Sequence, residues 1–173
     1  DVLVESGRVA RLAPHGAIPA EGARLIDAAG AWVVPGFVDL HTHYDAEVEV
    51  LPGLSESVRH GITTCVMGSC GLSMVEGDPV DLADMFCRVE GIPRSTVKPM
   101  LERTKTWDGP RSYFAHLETL PLGPNVAALL GHSAIRAAAM GLRRSLTQGE
   151  RPTEAELSRM EQRLEEALDE GYL

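Results

Sequence analysis

Trp32-Val33-Val34-Pro35-Gly36-Phe37-Val38-Asp39-Leu40-His41-Thr42-His43-Tyr44-Asp45 reads as a short buried strand that leaves a Pro-Gly turn and ends on two histidines one residue apart. Alternate side chains of a strand share a face, so His41 and His43 lie about 6 to 7 Å apart along the backbone and can converge on one ion. Asp39, two positions earlier on that face, and Asp45 just beyond the pair are candidate acceptors for the imidazole N–H groups. If the strand belongs to a parallel barrel, the pair falls at the C-terminal end, where such barrels carry their chemistry.

Downstream, apolar runs alternate with segments of helical period, the rhythm of βα units and a parallel sheet. Leu54 to His60 predicts two helical turns closed by Gly61, and Ile62 to Met67 predicts a second strand running into Gly68-Ser69-Cys70-Gly71. Between Gly71 and Asn125 lies a long excursion punctuated by Pro93, Pro99, Pro110, Pro121 and Pro124, with helical patches at Leu82 to Val89, Met100 to Thr104 and Tyr113 to Leu120. An insertion of that length either shapes access to a site or serves as structure. Val126 to Leu130 predicts a third strand ending at Gly131-His132. The last helix is announced by a Thr153/Glu156 capping box, and Leu157, Met160, Leu164 and Leu168 form one stripe expected to pack on the sheet.

Each of these strands ends in chemistry-capable residues. On the second, Cys70 has the parity of Ile62, Thr64, Val66 and Gly68, whereas Cys65 lies on the opposite face, so at most one thiol joins the histidines. A thiolate between two glycines at a strand end suits zinc alongside imidazole; a small buried cysteine in a tight turn is the plain alternative. Cys65 and Cys87 read as small buried hydrophobes. His132 either orients a substrate or ligand, or bonds loop backbone; Arg136, one turn on, either pairs with a substrate carboxylate or is solvated. His15, His60 and His116 carry no assigned chemistry.

Upstream, residues 1–34 are short apolar runs at Asp1 to Val4, Arg8 to Leu12, Arg24 to Ile26 and Trp32 to Val34, broken by turn signals. They predict a β-rich segment of a small flanking sheet, distinct from the βα material of residues 35–173. Composition is that of an ordinary globular protein, with 44% hydrophobic and 24% charged residues. Sixteen basic against 25 acidic residues give a net charge of −9, which argues against nucleic acid as partner. No run is long enough for a membrane span and no export-signal pattern opens the chain, so a cytoplasmic location is the expectation. Three cysteines make no paired framework. A start without methionine and an end where another strand is due suggest a piece of a longer polypeptide.

Pro35 to His43 followed by Gly61-Ile62-Thr63-Thr64 resembles the amidohydrolase superfamily. Met67-Gly68-Ser69-Cys70-Gly71 and Asn125 to His132, with Arg136 and Met140-Gly141, resemble its N-acyl-D-amino-acid deacylase (D-aminoacylase) branch. The resemblance runs from Gly7-Arg8-Val9 to Glu170-Gly171. It implies an α/β fold: the first three βα units of a metal-dependent (β/α)₈ TIM barrel beside a small β-sandwich. It implies His41, His43 and Cys70 as ligands of one or two zinc ions. Two further histidine ligands and a catalytic aspartate would sit on later strands, beyond Leu173. The implied activity is hydrolysis of a linear amide C–N bond, taking a small-molecule N-acyl-D-amino acid to a carboxylate and a D-amino acid by zinc-activated water. The 173 residues alone are expected to be inactive without the remainder of their own barrel.

Two rivals stand beside this reading. One is a cyclic-amide amidohydrolase, hydantoinase-like or dihydroorotase-like, which would bridge two metals with a carbamylated lysine on a later strand. The other is a non-catalytic metal-binding module made only of these residues, whose three parallel strands would leave an open edge.

Overall fold

A computed structural model describes all residues from Asp1 to Leu173. The chain divides into two compact units, Asp1–Pro35 and Gly36–Leu173.

The first unit contains one antiparallel hairpin, β1 (Val2–Glu5) with β2 (Arg8–Leu12). Ser6 and Gly7 both take positive φ, 50° and 74°, the backbone of a two-residue hairpin turn whose twist matches that of the strands. The strands expected at Arg24 to Ile26 and Trp32 to Val34 do not form. Leu25, Ile26 and Trp32 are 77%, 75% and 92% exposed, so these apolar runs find no partner within the unit. A sandwich needs a second sheet, and this unit holds a single two-stranded one.

The second unit is an α/β arrangement around a parallel sheet of order β3-β4-β5, formed by Phe37–Asp39, Ile62–Met67 and Asn125–Ala128. The β-branched run of β4 fits the central position, where strands pair on both sides. The first strand is shorter than the sequence suggests and not buried: Phe37 and Val38 are more than half exposed. α1 (Ser55–Arg59) leads into β4 through Gly61 at φ 83°. After β5 come α5 (His132–Met140), α6 (Leu142–Ser145) and α7 (Glu154–Asp169). The chain then returns to the sheet, and the Leu173 amide donates to the Ala128 carbonyl at 3.0 Å. No helix is long and apolar enough to cross a membrane.

The excursion between β4 and β5 folds into α2 (Pro79–Glu90), α3 (Arg94–Thr104) and α4 (Pro110–Leu117). Asp78 caps α2 by accepting from the Val80 and Asp81 amides at 2.8 and 3.1 Å, and Gly91 in the left-handed region ends it. Leu82, Phe86, Val97, Leu101, Trp107 and Tyr113 from this stretch are buried in one cluster with Met67, Met74 and Ala128. The excursion thus supplies much of the core. The stripe of α7 divides: Met160 is buried, while Leu157, Leu164 and Leu168 remain about half exposed, because the helix turns Met160 and Ala167 inward instead.

Candidate metal centre

Beyond Asp39 the chain keeps the alternation of a strand without the full ladder. Thr42 is pinned to β4 twice, its amide donating to the Val66 carbonyl at 3.0 Å and its hydroxyl to the same oxygen at 2.8 Å. With Thr42 fixed inward, its two neighbours leave on the other side, and the His41 and His43 rings lie 5.3 Å apart, centroid to centroid.

Cys70 is brought there by a different device from the strand parity that the sequence suggested. β4 ends at Met67, and a single 3-10 turn, Ser69–Gly71, follows Gly68 at φ 80°; Cys70 itself sits at φ 55° and Gly71 at φ 79°. Positive φ at a residue with a side chain is unfavourable by about 1 kcal/mol or more, so the surrounding structure holds it there. The Asp45 carboxylate, 1% exposed, accepts from the Gly68 amide and the Met74 amide at 3.3 Å each, one on either side of the turn. Ser73 Oγ accepts from the Gly131 amide at 3.1 Å. Burial pushes the Asp45 carboxyl up to about 6 against the opposing pull of these amides.

The result is a cluster in which one donor atom each from His41, His43 and Cys70 lies within 4.8 Å of the others, with His41 Nε2 at 3.1 Å from Cys70 Sγ. Two imidazoles and a thiol, with Cys70 and His41 exposed and His43 partly so, form a donor set that suits a borderline-soft divalent ion. Cys65 is fully buried in β4 and absent from the cluster, and burial raises its thiol above the ordinary value. Cys87 is half-buried on α2, less enclosed than its sequence context suggests.

The other candidates lie elsewhere. Asp39 accepts from the His41 backbone amide at 3.2 Å, and Asp45 braces the Cys70 turn; neither is hydrogen-bonded to an imidazole of the pair. His132 begins α5 as an exposed residue outside the cluster. Arg136 donates to the Ser145 and Glu150 carbonyls at 3.4 and 2.9 Å, so its guanidinium holds the loop after α6.

One neighbour of the pair was not legible in the sequence. Glu90, the last residue of α2, places Oε1 3.3 Å from His43 Nδ1. An acidic residue at a helix end looks like surface, and only the packing of the excursion brings it here. Glu49, whose side chain is buried, meets His116 Nε2 at 3.0 Å while that ring packs on Trp107 at 4.5 Å. This pair packs against the core at Trp107.

The chain belongs to the Amidohydrolase family, which it matches over residues 24–172. Within that family it is similar to the D-aminoacylase branch. It is 33% identical over 99% of its length to an N-acyl-D-aspartate deacylase of Alcaligenes xylosoxydans xylosoxydans, covering 31% of that protein. It is 52% identical over 98% of its length to an uncharacterized protein of Mycobacterium tuberculosis, covering 28% of it. The chain therefore spans less than a third of these relatives. Among solved structures it is similar to an N-acyl-D-glutamate deacylase of Bordetella bronchiseptica, complexed with zinc and a phosphonate mimic of the reaction's tetrahedral intermediate. That match has 34% identity and a TM-score of 0.70, and covers 96% of this chain and 31% of that one.

Proposed function

We propose that this chain carries the first zinc ligands, His41, His43 and Cys70, of a cytoplasmic hydrolase that cleaves the linear amide bond of an N-acyl-D-amino acid. The single observation that carries the reading is the convergence of two imidazoles and one thiol at the C-terminal ends of adjacent parallel strands. The deacylase relatives and the zinc in the Bordetella structure support the substrate class and the metal. Three free cysteines accord with a reducing compartment. The return of Leu173 to β5 supports reading the sheet as the opening of a βα barrel.

His41, His43 and Cys70 would hold the zinc, which would supply Lewis-acid chemistry for polarising a scissile carbonyl and making a water more acidic, towards a pKa of about 7. The chain's own residues do the positioning. Thr42 splays the two imidazoles to one side, and the Gly68 turn, braced by Asp45, presents the Cys70 sulfur to them. The proton acceptor for hydrolysis is assigned to no residue of this chain.

The test is zinc analysis and D-amino acid release from N-acyl-D-glutamate and N-acyl-D-aspartate, using the full polypeptide and its Cys70→Ala variant. We expect the wild type to retain zinc and hydrolyse an N-acyl-D-amino acid, and the variant to lose most of both. Unchanged zinc in the variant would remove Cys70 from the ligand set. Turnover of hydantoin or dihydroorotate in place of N-acyl substrates would move the protein to the cyclic-amide class.

A further inference from the structure

His43 has a feature the ligand reading leaves unused. Its Nδ1 is buried and has no hydrogen-bond partner, and Glu90 Oε1 stands 3.3 Å away, within reach but off the N–H axis. A buried ring nitrogen left unsatisfied costs about 1–3 kcal/mol, so the nearest acceptor matters. Glu90 is held in place from behind. It closes α2, whose Leu82 and Phe86 are fully buried, and Gly91 in the left-handed region stops the helix one residue later.

We propose that Glu90 is a positioning residue for the metal centre: its carboxylate accepts a hydrogen bond from His43 Nδ1–H, which keeps the proton on Nδ1 and leaves Nε2 as the free ligating nitrogen. A ligating imidazole has only two nitrogens, so a fixed acceptor on one settles the tautomer and aims the other. Asp39 and Asp45 do not serve this role, being engaged with backbone amides. The assignment gives the excursion a second task, since the segment that fills the core also carries the acceptor for a ligand on another element. It rests on the zinc reading of His41, His43 and Cys70.

The experiment measures zinc affinity by chelator competition in the full polypeptide for wild type, Glu90→Ala, Glu90→Gln and Cys70→Ala, with melting temperatures of the four apo proteins. Glu90→Ala is expected to bind zinc roughly 10- to 100-fold more weakly. Glu90→Gln, whose amide oxygen still accepts the N–H, should recover most of that loss, and the apo melting temperatures of wild type and both Glu90 variants should agree. Zinc held as tightly by Glu90→Ala as by wild type, or more tightly, would overturn the proposal, the second case marking Glu90 as the partner of a protonated ring. Glu90→Gln no better than Glu90→Ala would also overturn it, as would a drop in apo stability that accounts for the loss. Equal zinc binding by wild type and Cys70→Ala would instead sink the zinc reading itself, so the two failures are distinguishable.

Discussion

At Gly68 the backbone sits at φ 80°, and a Cβ would stand 2.1 Å from the Leu129 carbonyl oxygen. Both the conformation and the room exclude a side chain. Gly131 is as confined, since a Cβ there would meet the Gly71 oxygen at 2.5 Å. Gly68→Ala should therefore cost more than the roughly 1–3 kcal/mol of a strained left-handed residue, and it should lower zinc retention by shifting the turn that carries Cys70. Urea denaturation and bound-zinc measurement on that variant of the full polypeptide would check both, and a variant as stable as wild type would show that the turn can relax. The turn at Cys70 is legible in the sequence because Gly68 and Gly71 stand close on either side of it. Strand parity does not reach Cys70, because the strand stops three residues earlier, at Met67.

α7 shows which part of an element a sequence discloses. Its start is local chemistry: Glu156 Oε2 accepts from the Thr153 amide at 2.8 Å, and Thr153 Oγ1 accepts from the Glu156 amide at 3.3 Å. Thr153→Ala should cost about 1 kcal/mol, measured by urea denaturation of the full polypeptide. Arg144, and then the Thr153 amide, hold the Glu156 carboxyl down at about 2 from its ordinary 4.5. Because the folded value lies below the unfolded one, this contribution is fully present above pH 4.5 and is lost as pH falls towards 2. Melting temperatures of the full polypeptide and its Glu156→Gln variant should converge near pH 2 and separate above pH 4.5; a constant gap would contradict the assignment. The buried face of the helix was not legible in the same way. The leucine stripe has the right period, but the rotation that buries Met160 and Ala167 while leaving Leu157, Leu164 and Leu168 half exposed is set by what packs against the helix.

For the molecule as a whole, the succession of three parallel strands followed from alternating apolar runs and helical periods, and β4 spans the residues its sequence marked. The expected strands at Arg24 to Ile26 and Trp32 to Val34 failed because a strand is a pairing, and these runs have nothing to pair with among the residues of their unit. The same argument bears on the second unit, where β3 offers an unpaired outer edge with Phe37 and Val38 more than half exposed. Purified by themselves, the 173 residues should self-associate in light scattering and lack a cooperative melt; a soluble, cooperatively melting monomer would contradict this. Glu90 illustrates the limit at this scale, since nothing near it in the chain announces the imidazole that α2 carries it to.

The central claim is that sulfur from Cys70 and nitrogen from His41 and His43 share one ion. Zinc K-edge X-ray absorption on the zinc-loaded full polypeptide reads those donors directly. The account predicts one sulfur at about 2.3 Å with nitrogen at about 2.0–2.1 Å, the sulfur disappearing in Cys70→Ala. A first shell of nitrogen and oxygen alone, identical in the two proteins, would contradict it.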